Sequence, residues 1–173
     1  MKAARLTLVG LLFFSLTSFA QKRAPSASDD DGRGGYPKFT LDLGVSLGSY
    51  GETNYTEASL GLNTYFMDWF IWRNAGFGRF ASGIDDVYGL DSSLRAVGRM
   101  GTSALGLTAF AGPGYRTVNK GDNAPFAEAG VILRLGGFSL GGGAKVLYYS
   151  SREGDLPKRD TIYFIILAGG ATL

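Results

Sequence analysis

The chain has 173 residues, 18% of them charged, with 27 glycines, no cysteine, no histidine and a formal net charge of +2. The length suits one domain. The missing residue types exclude disulfide scaffolds, thiolate or imidazole metal centres and histidine-based triads. So small a net charge gives no footing for nucleic acid.

Lys2 and Arg5 precede a mostly apolar run that ends in Ser18-Phe19-Ala20. This is the three-part pattern of a secretory signal peptide over 1–20. Residues 21–35 hold no large apolar side chain, so they cannot offset their ordering entropy and read as a disordered leader. Asp29, Asp30 and Asp31 within it read as a solvated charge run. The remaining stretch, 36–173, reads as one all-β domain.

From Phe39 onward the dominant period is two. Phe39, Leu41, Leu43, Val45 and Leu47 alternate with Thr40, Asp42, Gly44, Ser46 and Gly48. Only an extended strand with two unlike faces needs such a pattern. It predicts eight strands, over 38–50, 55–66, 69–80, 90–101, 104–117, 125–135, 138–150 and 160–172. Two are less regular. The third mixes Trp72 with Arg73 and Arg79, which suggests a bulge. The last is apolar on both faces through Ile162, Tyr163, Phe164, Ile165, Ile166 and Leu167. Strands of this length exceed the soluble average of about 5 or 6 residues and match the about 9–11 that cross a membrane.

The connections alternate between tight and long. Met67-Asp68, Thr102-Ser103 and Gly136-Gly137 are tight, the last a good two-residue hairpin turn. The longer segments carry Asp85, Asp86, Lys120, Asp122, Arg152, Glu153, Asp155, Lys158 and Arg159. Tight turns at one end and charged loops at the other are the asymmetry of outer-membrane barrels. Aromatics gather at both ends: Phe66, Trp69, Phe70 and Phe138 by the tight turns, and Tyr50, Tyr55, Phe80, Tyr88, Tyr115, Phe126, Tyr148, Tyr149 and Tyr163 by the loops. Phe66, Trp69, Phe70, Tyr115 and Tyr148 are the leading candidates for rings at the lipid headgroups.

The polar face is mostly glycine and serine with a few charges. Small side chains suit the crowded interior of an eight-stranded barrel. Its inward charges are expected to be Asp42, Glu57 and Glu128 against Arg95, Arg99, Arg134 and Lys145, with Arg73 or Arg79 as further candidates. Opposite charges in a low-dielectric lumen should pair, because an isolated buried charge is expensive. The expected lumen is therefore plugged and salt-bridged.

The export pattern, the segment LGLNTYFMDWF over 60–70, GPGYR over 112–116 and the closing YFIILAGGATL together resemble the small eight-stranded outer-membrane β-barrels of the OmpA/OmpX type, including uncharacterised porin-family barrels. The resemblance is one of architecture and covers nearly all of the chain beyond the leader. Such families usually end in an aromatic residue read by the barrel-assembly machinery, whereas this sequence ends in Leu173. The resemblance implies an antiparallel up-and-down transmembrane barrel in the bacterial outer membrane. It implies outer-membrane lipid, lipopolysaccharide and the assembly machinery as partners, and an envelope or surface-interaction role through the outer loops. A narrow pore for ions or small solutes is the alternative, and a soluble secreted binding protein a more distant one. No cofactor, metal or nucleic-acid partner is expected. Without histidine, and with no serine or carboxylate spacing that suggests another mechanism, the sequence reads as that of a non-enzyme.

Overall fold

The computed structural model describes residues 39–50, 53–81, 86–102, 105–150 and 158–169. The expected signal peptide and leader lie outside them, as do Asp85, Arg152, Glu153, Asp155 and the terminal Leu173.

Eight antiparallel strands follow one another in chain order: β1 (Phe39–Tyr50), β2 (Thr53–Met67), β3 (Phe70–Phe80), β4 (Val87–Gly101), β5 (Leu105–Val118), β6 (Ala124–Leu135), β7 (Phe138–Tyr148) and β8 (Arg159–Gly169). Each pairs with the next, and β8 returns to β1 through Leu43↔Leu167 to Leu47↔Tyr163, so the sheet is a closed barrel. Closure leaves no open edge, so every strand has a hydrogen-bonded neighbour on both sides.

The period of two separates the faces. On β6, Ala124, Phe126 and Glu128 are buried, while Pro125, Ala127, Ala129, Val131, Leu133 and Leu135 are exposed. The same parity runs round the ring. Large apolar side chains stand outward and uncovered, among them Leu47 at 61%, Leu60 at 52%, Met100 at 67% and Ile165 at 59% exposure. A soluble barrel would turn these columns into its core.

Two local expectations change, the bulge and the first tight turn. β3 runs without a bulge: Trp72 points out, while Arg73 and Arg79 point in. The register instead shifts on β2, between Tyr65 and Met67, where Phe66 is the extra residue opposite Phe70. That shift moves the first tight turn one residue along, to Asp68-Trp69. β8 is apolar on both sides because its two faces meet different surroundings. Ile162, Phe164 and Ile166 are buried in the lumen, and Tyr163 and Ile165 are exposed outside.

One irregularity has a covalent cause. The β4–β5 ladder is interrupted opposite Leu94-Arg95, between Ser93↔Gly114 and Ala96↔Ala111. Pro113 sits there on β5 and has no N–H to give. The strands close in at this point, and a Cβ on Gly112 would lie 1.8 Å from the Leu94 carbonyl oxygen.

Candidate functional site

The lumen gathers most of the chemistry. Alternation turns every second residue inward, and closure brings eight such columns within side-chain reach of one another. Among the described residues, Asp42, Glu57, Asp91, Glu128 and Asp160 are buried acids, and Arg73, Arg79, Arg95, Arg116 and Lys145 are buried bases. Five against five balances the fully buried charges, which is the condition under which they can be kept from water at tolerable cost.

Three groups make up the network. Nearest the tight turns, Arg73 donates to Asp42 through Nε at 3.0 Å and Nη2 at 2.6 Å, and Asn63 Nδ2 donates to the same carboxylate at 2.7 Å. Gly61 leaves the space for this pair: a Cβ there would meet Asp42 Oδ1 at 2.6 Å and Arg73 Nη2 at 2.7 Å. Midway, Arg95 forks onto Glu128, with Nε to Oε1 at 2.8 Å and Nη2 to Oε2 at 3.0 Å. Towards the loops lies a five-membered cluster. Glu57 accepts from Arg79 at 3.0 Å and from Arg116 at 2.7 Å. Arg116 also donates to Asp91 at 2.7 Å, and Lys145 closes the chain by donating to Asp91. Since Arg116 is on β5 and Glu57 on β2, and Lys145 is on β7 and Asp91 on β4, these bonds cross the lumen between strands three apart in the ring.

Each cation of the two groups farther from the turns also faces a ring. Arg79 lies 4.0 Å from the Tyr55 centroid, Arg95 4.2 Å from Phe110, Arg116 4.0 Å from Phe77 and Lys145 4.5 Å from Phe126. Carboxylate on one side and π-face on the other replace most of the water these groups would hold.

Two apolar clusters pack within the lumen. Tyr55, Ala124, Phe126, Leu147, Tyr149 and Ile162 pack at the loop end. Ile71, Val97, Phe110, Phe164 and Ile166, with Tyr65 and Ile132 beside them, pack towards the turns. One internal cavity among the described residues, lined by Ser46, Ser59, Arg73, Arg95, Glu128 and Lys145 among others, measures about 20 Å³. That is room for a single water.

The structure brings together Asp42, Glu57, Arg95, Glu128 and Lys145 from the sequence-derived set, turns both further candidates, Arg73 and Arg79, into the lumen with them, and adds Asp91, Arg116 and Asp160. Arg99 and Arg134 face inward nearer the turns and lie outside the three groups. The Arg99 guanidinium is 5.3 Å from the Tyr65 ring, and Arg134 is half-buried opposite Gly106. Of the aromatics, Phe66, Trp69, Tyr115 and Tyr148 are exposed on the outer face or rim, and Phe70 is half-buried. Phe66 stacks on Trp72 at 6.4 Å and contacts Phe70 at 6.0 Å, and Trp69 contacts Phe70 at 5.7 Å. Tyr55, Phe126 and Tyr149 do not join the outer band. They share the parity of Glu57, Glu128 and Lys145 and turn into the lumen. The lumen is accordingly not merely small and ionic, because these rings and the β8 isoleucines fill much of it.

No family model and no curated protein matches the chain. Among solved structures it is similar to the crystal structure of the outer membrane enzyme PagL. Identity is 11%, the TM-score is 0.54, and the match covers 73% of this chain and 97% of that one. The fold is that of a small outer-membrane β-barrel. This similarity corrects one reading of the sequence. Treating the chain as a non-enzyme does not stand, since a barrel of the same architecture is an enzyme. Fold does not decide activity in either direction.

Proposed function

We propose that the protein is a sealed barrel of the bacterial outer membrane, held in lipid by its outer face, with an envelope or surface-interaction role at its loop end. The observation that carries this reading is the inversion of the two faces. Leucines, methionines and tyrosines stand uncovered outside, while ten charged groups are buried within. Water would favour the reverse arrangement, and hydrocarbon favours this one. The outer aromatics of both ends, Phe66 and Trp69 below and Tyr88, Tyr115 and Tyr148 above, fit the two headgroup levels.

The interior argues against the narrow-pore alternative. An ion would have to pass two apolar clusters and break bonds that cross the lumen, and the cavity at Ser46, Ser59 and Lys145 holds about one water. Support for an envelope role comes from this sealing together with the described loop-end charges Asp86, Lys120, Asp122, Lys158 and Arg159. Outer-membrane lipid, lipopolysaccharide and, during biogenesis, the barrel-assembly machinery are the partners that this reading entails.

Planar-bilayer recording of the refolded protein tests it. Insertion without a steady single-channel current is the expected result. A reproducible open conductance would overturn the sealed lumen, and failure to partition into bilayers would overturn the membrane assignment.

A further inference from the structure

The outer face of the described strands carries only one charged side chain. Along all eight strands the outward parity holds aliphatic, aromatic, small or neutral polar residues, until Arg159 at the loop end of β8. Its position is held by the ladder: Arg159 pairs with Tyr148, and the Tyr149 N–H donates to the Lys158 carbonyl at 2.9 Å. The side chain is therefore presented by a strand on the outside of the rim.

Its surroundings differ from those of the lumen cations. Arg73, Arg79, Arg95, Arg116 and Lys145 each meet a carboxylate within the barrel. Arg159 is exposed, no carboxylate among the described residues pairs with it, and its guanidinium lies 5.9 Å from the Tyr148 ring. Lys158 beside it is exposed too. Below it on the same face come Thr161 and then Tyr163, which is 66% exposed. At about 3.3 Å per residue, Tyr163 lies about 13 Å down the strand. The order from the rim is thus cation, hydroxyl, phenol, then Ile165 among the aliphatics. This is the polarity gradient from a lipid phosphate to its acyl chains.

We propose that Arg159, with Lys158, Tyr148 and Thr161 around it, binds the phosphate of an anionic membrane lipid at the loop-end rim. The inference rests on the membrane reading above. The guanidinium offers paired N–H donors that match phosphate oxygens, and Tyr148 limits its directions of approach. Headgroup phosphate and free phosphate share this chemistry. The aliphatic column beneath the site favours the lipid.

The test refolds the wild type, Arg159→Gln and Lys120→Gln into phosphatidylcholine vesicles holding a minor fraction of spin-labelled phosphatidylglycerol. The electron spin resonance spectrum then gives the fraction of label held at the protein. A cation at the membrane surface contributes enough for about a fivefold preference, so Arg159→Gln should lose about that factor. Lys120→Gln, at the same end but in a loop, should retain it. Equal selectivity in all three proteins would overturn the site while leaving the membrane reading intact. If no variant shows a heat-sensitive gel shift after refolding, the membrane reading itself fails. Inorganic phosphate binding to the detergent-solubilised protein, with the same dependence on Arg159 and no lipid selectivity, would overturn the lipid as ligand.

Discussion

The two faces of the same strands obey opposite rules. Along β4, Asp91, Ser93 and Arg95 are buried, while Leu90, Leu94 and Met100 are exposed. On the inner face a charge is tolerated because a partner from another strand meets it. On the outer face no partner is supplied, and charge is absent until the rim. Neighbouring residues are only a few ångströms apart along the chain, so local sequence does not set their environment. Parity does, because closing the ring gives one set of positions to a shared interior and the other to the surrounding solvent.

Breaking the inner rule should have the largest effect. Glu57→Gln leaves Arg79 and Arg116 without the carboxylate both use. Removing one partner from a buried ionic group costs about 3–5 kcal/mol. Urea unfolding of the vesicle-inserted barrel, followed by the heat-sensitive gel shift, should show a loss of that size. A change below about 1 kcal/mol would mean that water reaches the network.

Violating the outer rule comes next. Leu94 is 45% exposed midway along β4. Leu94→Arg should cost about 2–4 kcal/mol in a bilayer, the range for a cation at the midplane of a barrel's lipid face. On a water-facing surface the same change would be nearly neutral, so urea unfolding of this one variant distinguishes the two solvents.

A smaller effect probes how tightly the faces are joined. In Gly112→Ala the new methyl meets the Leu94 carbonyl oxygen beside the ladder gap at Pro113. Overpacking of this kind costs about 1–3 kcal/mol. Melting of the refolded barrel, followed by circular dichroism, should fall accordingly while the strand signal at low temperature is unchanged. Smallest is Trp72→Phe, which keeps an aromatic ring on the outer face but removes the Nε1 donor that gives Ser92 Oγ a 2.9 Å hydrogen bond. A loss of about 0.5–1.5 kcal/mol in the same urea titration is expected.

Most of the fold was legible because the barrel's main constraint, alternation, is written residue by residue. Strand number, order and ends follow from it, within a few positions. The site was legible only where the alternation was followed to the strand ends. Asp91 continues the parity of Ser93 and Arg95, and Arg116 continues that of Gly106, Thr108 and Gly112, yet both sit where the apolar pattern is thinning. Tyr55, Phe126 and Tyr149 show the converse. Their place by the loops gives their height on the barrel, but only their parity with Glu57, Glu128 and Lys145 gives the side they face. Which acid meets which base was not legible at all. Arg116 reaches Glu57 across the lumen, 59 positions away, and only ring closure creates that contact.

The absence of native cysteine allows a direct test of the face inversion, because a single introduced thiol is the only labelling site. Nitroxide labels would be placed one at a time at Leu94, Leu107 and Leu133, on the outward parity of β4, β5 and β6, in the vesicle-inserted protein. Collision rates with oxygen and with a water-soluble nickel chelate are then compared. A barrel seated in hydrocarbon gives high oxygen and low nickel accessibility at all three positions. High nickel accessibility at these leucines would place the outer face in water and contradict the assignment.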